Sequence, residues 1–292
     1  MTTTLCTEAV PALSPSHATA LRALGASAGG ASASRLLGLL YDPQVDVDRI
    51  QACLHGEPAL AARVLKVANA PYYGQSGHVG SVQRAVQLLG LTAIRGIAAA
   101  GCLDRVTPPK AGSVFDPVQF RRHSGAVACA AQALSRRAGC GIDAEAFMAG
   151  LLHDIGVLLL VKADPAAMAA YDPPWGLDDD QLSTAEQAHF GLSHEEAGAQ
   201  IVQAWALPDW LACALRQHHH ATPPLERQGL AVLPALLQLA DSLASRAGYG
   251  FWARCESQPD PALAGALGLG PDDLEALAQA LPAAVDALSV DG

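Results

Sequence analysis

The feature that most constrains this chain is the spacing of its apolar residues, which recur every three or four positions in segment after segment. Leu60, Val64, Val67 and Ala68 fall on one helical face, as do Val82, Ala85, Val86 and Leu89. The strict apolar–polar alternation of a half-buried strand occurs nowhere convincingly. Composition supports the same reading. Hydrophobic residues make up 51% of the chain but aromatics only 5%. The core must therefore be built from Ala, Leu and Val, a mixture that favours helices. The reading is an all-α protein. With 292 residues and 16% charged residues, the chain can form a sizeable core and is no disordered tail.

Punctuating residues divide it. Residues 1–30, with Pro11 and Pro15, read as a flexible leader with one short helix around Ala18 to Leu24. Residues 31–108 read as an N-terminal helical half. Its helices lie near Ala33–Leu40, around Ile50, Cys53 and Leu54, from Pro58 to Asn69-Ala70-Pro71, from Ser81 to Gly90, and from Thr92 to Leu103. Pro108-Pro109 to Ser113 reads as a linker. Residues 113–292 form the second half. Asp116 followed by Pro117 opens a long helix to about Arg137. Ser183 with Glu186, and Ser193 with Glu196, fit capping boxes that place helix starts near 184 and 194. Further helices span Asp209 to His218, Leu230 to Arg246, and Asp272 to Leu288 with a kink at Pro282.

Several partner classes are disfavoured. A net charge of −10 argues against nucleic acid, because phosphate-backbone binding needs a basic face. No uncharged apolar run approaches the ~20 residues of a membrane span, and the N-terminus does not read as a signal peptide. No membrane partner is expected. The seven cysteines are scattered without a C-x-x-C, so neither a disulfide framework nor a Cys-based zinc site is expected, and a reducing, cytoplasmic location is.

Polar residues interrupt the apolar helices in a particular pattern. The core element is Gly150-Leu-Leu-His153-Asp154-Ile-Gly156, with His123 upstream and His194, the run His218-His219-His220, and Asp241 downstream. Taken singly, each has a plain explanation. His123 shares a stripe with Val127, Ala130 and Leu134 and would be a hydrogen-bonded core residue. A histidine triplet is usually solvated, and Asp241 could cap or face solvent. Together they would leave many polar groups on apolar faces, which is costly unless a metal or a dense hydrogen-bond network satisfies them. Imidazole and carboxylate together suit a divalent transition metal (Fe, Mn, Zn, Co or Ni), and one or two ions are expected in the helical core. Adjacent His153 and Asp154 could bracket one ion, with Asp154 bridging to a second; two such ions would activate water for phosphoester cleavage.

At these residues the chain resembles the HDOD family (HD-related output domain), part of the HD phosphohydrolase superfamily. The resemblance covers about residues 32–250. In the first half it rests on Glu57-Pro-Ala-Leu60, Arg63-Val-Leu65, Asn69-Ala70, Tyr73-Gly74, and Ser81 to Gly90 with Ala85 and Leu88-Leu89-Gly90. Glu57 replaces the usual Asp, and Ala70 the usual Ser. In the second half it rests on Arg122-His123-Ser124, Phe147 to Gly156, Glu186 to Gly198, Trp205-Ala-Leu-Pro208 and His218-His219.

The resemblance implies an N-terminal helical bundle packed on an HD-superfamily-like bundle. It implies a bacterial signalling or regulatory protein, in a family held to be mostly without hydrolase activity. Signalling proteins are the implied partners, with a cyclic nucleotide as a further candidate. In chain order, His123, His153, Asp154, His194, His218, His219 and Asp241 fall where the catalytic HD-GYP relatives carry metal ligands. Three departures separate this chain from them. Gln119 stands where they have a glutamate, Val157 where they have a lysine, and Ala221-Thr-Pro-Pro224 where their GYP loop would be. Val157 cannot offset phosphate charge in a transition state. The expectation is therefore a non-catalytic regulator with a metal in the HD cleft. The alternatives are a metal-dependent phosphohydrolase or cyclic-dinucleotide phosphodiesterase, and a nucleotide-sensing module. Asn69 with Tyr72 and Tyr73 is expected to be a helix end with packing aromatics, and Trp205 and Trp210 to be packing residues.

Overall fold

The computed structural model describes residues 12–26, 58–69, 79–108, 115–173, 179–224, 228–251 and 258–288, with isolated positions between 37 and 54 and at 110 and 177. Among the described residues every regular element is helical. The expected helices over 33–40 and around 50–54 lie largely outside these residues, as do Tyr72 and Tyr73.

The N-terminal half contains α2 (Pro58–Ala68) and α3 (Val82–Val106). Ser81 caps α3, its hydroxyl accepting the Arg84 N–H. Gly90 adopts φ 74°, a conformation that costs other residues dearly, and α3 turns sharply there. The two helices expected to meet at Gly90 are thus one chain path with a corner. Asn69 ends α2 as a staple. Its Nδ2 donates to the carbonyls of Leu65 (2.8 Å) and Val79 (3.0 Å), and its Oδ1 accepts the Val79 N–H (2.8 Å).

The second half begins at α4 (Pro117–Ala138), where the Asp116 carboxylate accepts the N–H groups of Val118 and Gln119. Next come α5 (Asp143–Leu152), α6 (Ile155–Ala163), α7 (Pro165–Ala170), α8 (Asp179–Phe190), α9 (His194–Ala204) and α10 (Asp209–Gln217). A 3₁₀ turn at Leu230–Val232 leads into α11 (Leu233–Ala244), and a π turn follows at Ser245–Tyr249. The chain closes with α12 (Pro261–Ala266) and α13 (Pro271–Leu288), which runs on through Pro282.

Helix α4 packs on α5, α11 and α13, while α9 packs on α6 and α10. Helix α3 crosses α5, so both halves share one hydrophobic cluster that reaches from Ala20 to Val285. Among the described residues, the segment 143–163 is long and apolar enough to cross a membrane (mean hydropathy 1.7), but it is not an uncharged run, and 89% of its most apolar window is buried inside the fold. It is a core element, interrupted by His153 and Asp154.

The short helix expected around Ala18 to Leu24 is present, but one correction concerns the leader. Residues 15–26 form a full helix, α1 (Pro15–Ala26), which buries His17, Ala20 and Leu24 against α6 and α9. Trp205, buried as expected, lies beneath Gly25 of this helix. The capping boxes are a second. Helix α8 starts at Asp179, so Ser183 and Glu186 sit inside it. Ser193 does occupy the N-cap of α9, but its side chain makes no capping bond, and Glu196 instead pairs with Arg216 of α10 (2.8 Å).

Candidate metal centre

The seven sequence-derived residues arrive from five places in the fold. His123 lies on α4, and His153 and Asp154 occupy the break between α5 and α6. His194 opens α9, His218 and His219 follow the last residue of α10, and Asp241 lies on α11. Two glycines of the central motif let these elements approach. A Cβ on Gly156 would stand 1.9 Å from the His194 carbonyl oxygen, so α6 and α9 touch backbone to backbone. A Cβ on Gly150 would stand 2.8 Å from backbone atoms of Val127 and Ala128, which sets α5 hard against α4. The first contact brings His194 to Asp154, and the second brings His123 to His153.

The ligand atoms form two groups that share Asp154. In the first, His123 Nε2 lies 3.1 Å from His153 Nε2, 3.4 Å from Asp241 Oδ1 and 3.5 Å from Asp154 Oδ2. His153 Nε2 lies 3.3 Å from the same Asp154 oxygen. In the second, His194 Nε2 lies 3.1 Å from His219 Nε2, 3.4 Å from His218 Nε2 and 3.4 Å from Asp154 Oδ1. Asp154 thus offers one oxygen to each group. All of these residues are buried except Asp241, whose side chain is 16% exposed.

The rings are oriented from behind. The Nδ1–H groups of His123, His153 and His218 donate to the carbonyls of Tyr249 (2.9 Å), Gly150 (2.8 Å) and Leu215 (2.7 Å). A carbonyl only accepts, so Nδ1 carries a proton and each ring turns its Nε2 into the centre. Two Nε2 atoms 3.1 Å apart need either a proton or a metal ion between them. Around an ion with ~2.1 Å bonds, neighbouring ligands sit about 3.0 Å apart in an octahedron and about 3.4 Å apart in a tetrahedron. The observed separations fit ions of that size, and the donor set of nitrogen with a few carboxylate oxygens suits transition metals over Mg or Ca.

His194 differs from the other rings. Its Nδ1–H donates to Glu186 Oε2 (2.6 Å), and its backbone N–H donates to the same oxygen (2.7 Å). Glu195 Oε2 lies 3.6 Å from that Nδ1, while Ser183 holds Glu195 Oε1 through its hydroxyl. Burial alone would strip His194 of its proton, but the two glutamates outweigh it and hold the ring well above the ordinary histidine range. His123 is also raised, its burial outweighed by Asp154 and Asp241. His218 is pushed down to about 4, chiefly by burial and then by His219. Asp154 is held well below the usual carboxylate range, the surrounding imidazoles outweighing its burial. Four carboxylates (Asp154, Asp241, Glu186, Glu195) therefore meet in or beside the centre, a charge that two divalent ions would offset.

Within the histidine run, His218 and His219 are buried and His220 is exposed. Gln119 is exposed on the first turn of α4, and Val157 is buried in α6. Glu186 and Glu195 were missed as site residues. Their signal was present as carboxylates eight positions before and one after a buried histidine, but the capping pattern offered a local explanation.

Comparison with known proteins places this architecture. A family model for the HDOD domain matches residues 30–221. Among solved structures, an HDOD domain protein of unknown function from Geobacter sulfurreducens superposes with a TM-score of 0.69 at 23% identity, covering 93% of this chain and 98% of that one. A protein of Shewanella amazonensis SB2B, provisionally assigned as a phosphohydrolase, gives 0.66 at 24%, covering 94% and 99%. One from Marinobacter aquaeolei VT8, provisionally assigned to signal transduction, gives 0.66 at 23%, covering 88% and 57%. The chain also matches 35% of the length of a curated, uncharacterized relative from Treponema pallidum, at 22% identity over 184 residues. At these identities the likeness shows a shared fold.

Proposed function

The chain belongs to the HDOD family, and on that footing we propose that it is a regulatory signal-transduction module built around a two-ion transition-metal centre that serves structure or sensing rather than turnover. One observation carries the reading. Seven side chains from five segments converge in two groups of ligand atoms, each within 4.8 Å, joined by the two oxygens of Asp154. His123, His153 and Asp241 with one Asp154 oxygen would hold the first ion. His194, His218 and His219 with the other would hold the second.

The absence of turnover rests on what surrounds the ligands. Asp241 alone among them is partly open, which favours a held ion over one presented to a substrate. The position where HD-GYP relatives place a lysine is Val157, sealed in the core. Partners are then signalling proteins, with a cyclic dinucleotide as the small-molecule candidate. A second reading, a metal-dependent phosphohydrolase or phosphodiesterase, draws on the unbroken ligand set. Two divalent ions there would supply Lewis acidity and an activated water.

The test is elemental analysis of natively purified protein beside a His153→Ala/Asp154→Ala variant. The expected result is close to two transition-metal ions per chain in the first and none in the second, with no release of phosphate from mono- or diesters. Turnover that disappears in the variant would establish the hydrolase reading instead. A metal-free wild type that takes up no added Mn, Fe or Zn would overturn both.

A further inference from the structure

We propose that Glu186 is the positioning residue of the second metal position, fixing His194 so that its Nε2 faces Asp154. The inference rests on the metal-centre reading above. Glu186 is fully buried on α8 and grips a single residue twice, taking the backbone N–H and the Nδ1–H of His194 on one oxygen. That double hold fixes both where α9 begins and how the ring is turned. The rings of His123, His153 and His218 are oriented by neutral backbone carbonyls. His194 is the ring among these four that is backed by a carboxylate, which strengthens an imidazole as a ligand.

The other oxygen of Glu186 supports this role. Glu186 Oε1 is buried without a hydrogen-bond partner, an arrangement that costs free energy when a group serves packing alone. Glu195 adds a second carboxylate 3.6 Å from the same nitrogen. Two buried carboxylates behind one imidazole leave excess negative charge that a cation on the far side of the ring would relieve. Helix α8 is thereby tied to the occupancy of the second position through Glu186, with Ser183 bracing Glu195 from the same helix.

The test counts bound zinc per chain and measures zinc affinity by chelator competition in wild type, Glu186→Ala, Glu186→Gln and Glu196→Ala. Glu186→Ala is expected to keep the first ion and lose the second, binding one ion where wild type binds two. Glu186→Gln keeps an acceptor oxygen without the charge, and should bind the second ion about 10- to 100-fold more weakly. Glu196→Ala breaks the Arg216 pair on the neighbouring face of α9 and should leave both ions in place. If Glu186→Ala fails to fold, the glutamine variant decides. Both ions retained at wild-type affinity in the two Glu186 variants, or both lost together there, would overturn the assignment. A wild type that binds no zinc would instead remove the metal centre itself, and the inference with it.

Discussion

At the scale of single residues, the centre depends on Asp154 more than on any one histidine, because its two oxygens serve different groups. Asp154→Asn keeps the shape but not the charge. It is expected to lower bound metal from two ions to at most one, read by elemental analysis; two ions retained would refute the bridging role. The same residues set a pH dependence. A metal must displace the protons that His123 and His194 hold above the ordinary histidine value. Affinity should therefore keep rising with pH through and beyond ~6.5, and fall steeply on acidification. His218, pushed down to about 4, stays a neutral ligand until the solution is far more acidic. Chelator competition at several pH values between 6 and 8 should show the climb, and a flat profile would contradict it. The residue types of this site were legible in the sequence because polar groups on apolar helices are costly without a common partner. The role of Glu186 was hidden, since a glutamate three positions after a serine is equally well explained by a cap.

At the scale of elements, the fold is positioned by backbone contacts that only glycine permits. Gly156→Ala would force α6 and α9 apart, since the new Cβ would meet the His194 carbonyl oxygen. The expected cost is at least ~1–3 kcal/mol of stability, together with loss of metal, because the displaced backbone carries a ligand. Gly125, two positions from His123 on α4, has nothing within 4 Å of its would-be Cβ. Gly125→Ala should leave stability unchanged or raise it slightly, and thermal denaturation of the pair separates close packing from mere proximity to the site. Caps and breaks were read well from sequence where the signal is local, as at Ser81, Gly90 and Asp116-Pro117. The start of α8 was misplaced because Ser183 with Glu186 mimics a cap inside a helix that already begins at Asp179.

For the whole molecule, the ligands join α4, the α5–α6 break, α9, the end of α10 and α11, so metal binding and global stability are linked. Chelation should lower the melting temperature of the chain as a unit, by an amount that grows with affinity. A melting curve unmoved by chelator, in protein shown to carry metal, would refute that linkage. Deleting residues 1–26 should also destabilise the molecule, because α1 buries Ala20 and Leu24 against α6 and α9 rather than trailing as a leader. Each buried leucine contributes roughly 1.5–3 kcal/mol, and a denaturant midpoint matching the full chain would show that α1 contributes nothing. By itself the sequence determined the helical class, the main caps and corners, and the seven candidate ligands. These depend on neighbours three or four positions apart, or on the chemistry of a side chain alone. Only the tertiary structure decided that α1 belongs to the core, that the apolar stretch 143–163 is buried, that the ligands sort into two groups around Asp154, and that Glu186 stands behind His194. Those facts depend on contacts between segments far apart in the chain, and the packing angles that create them are set by the whole set of helices at once.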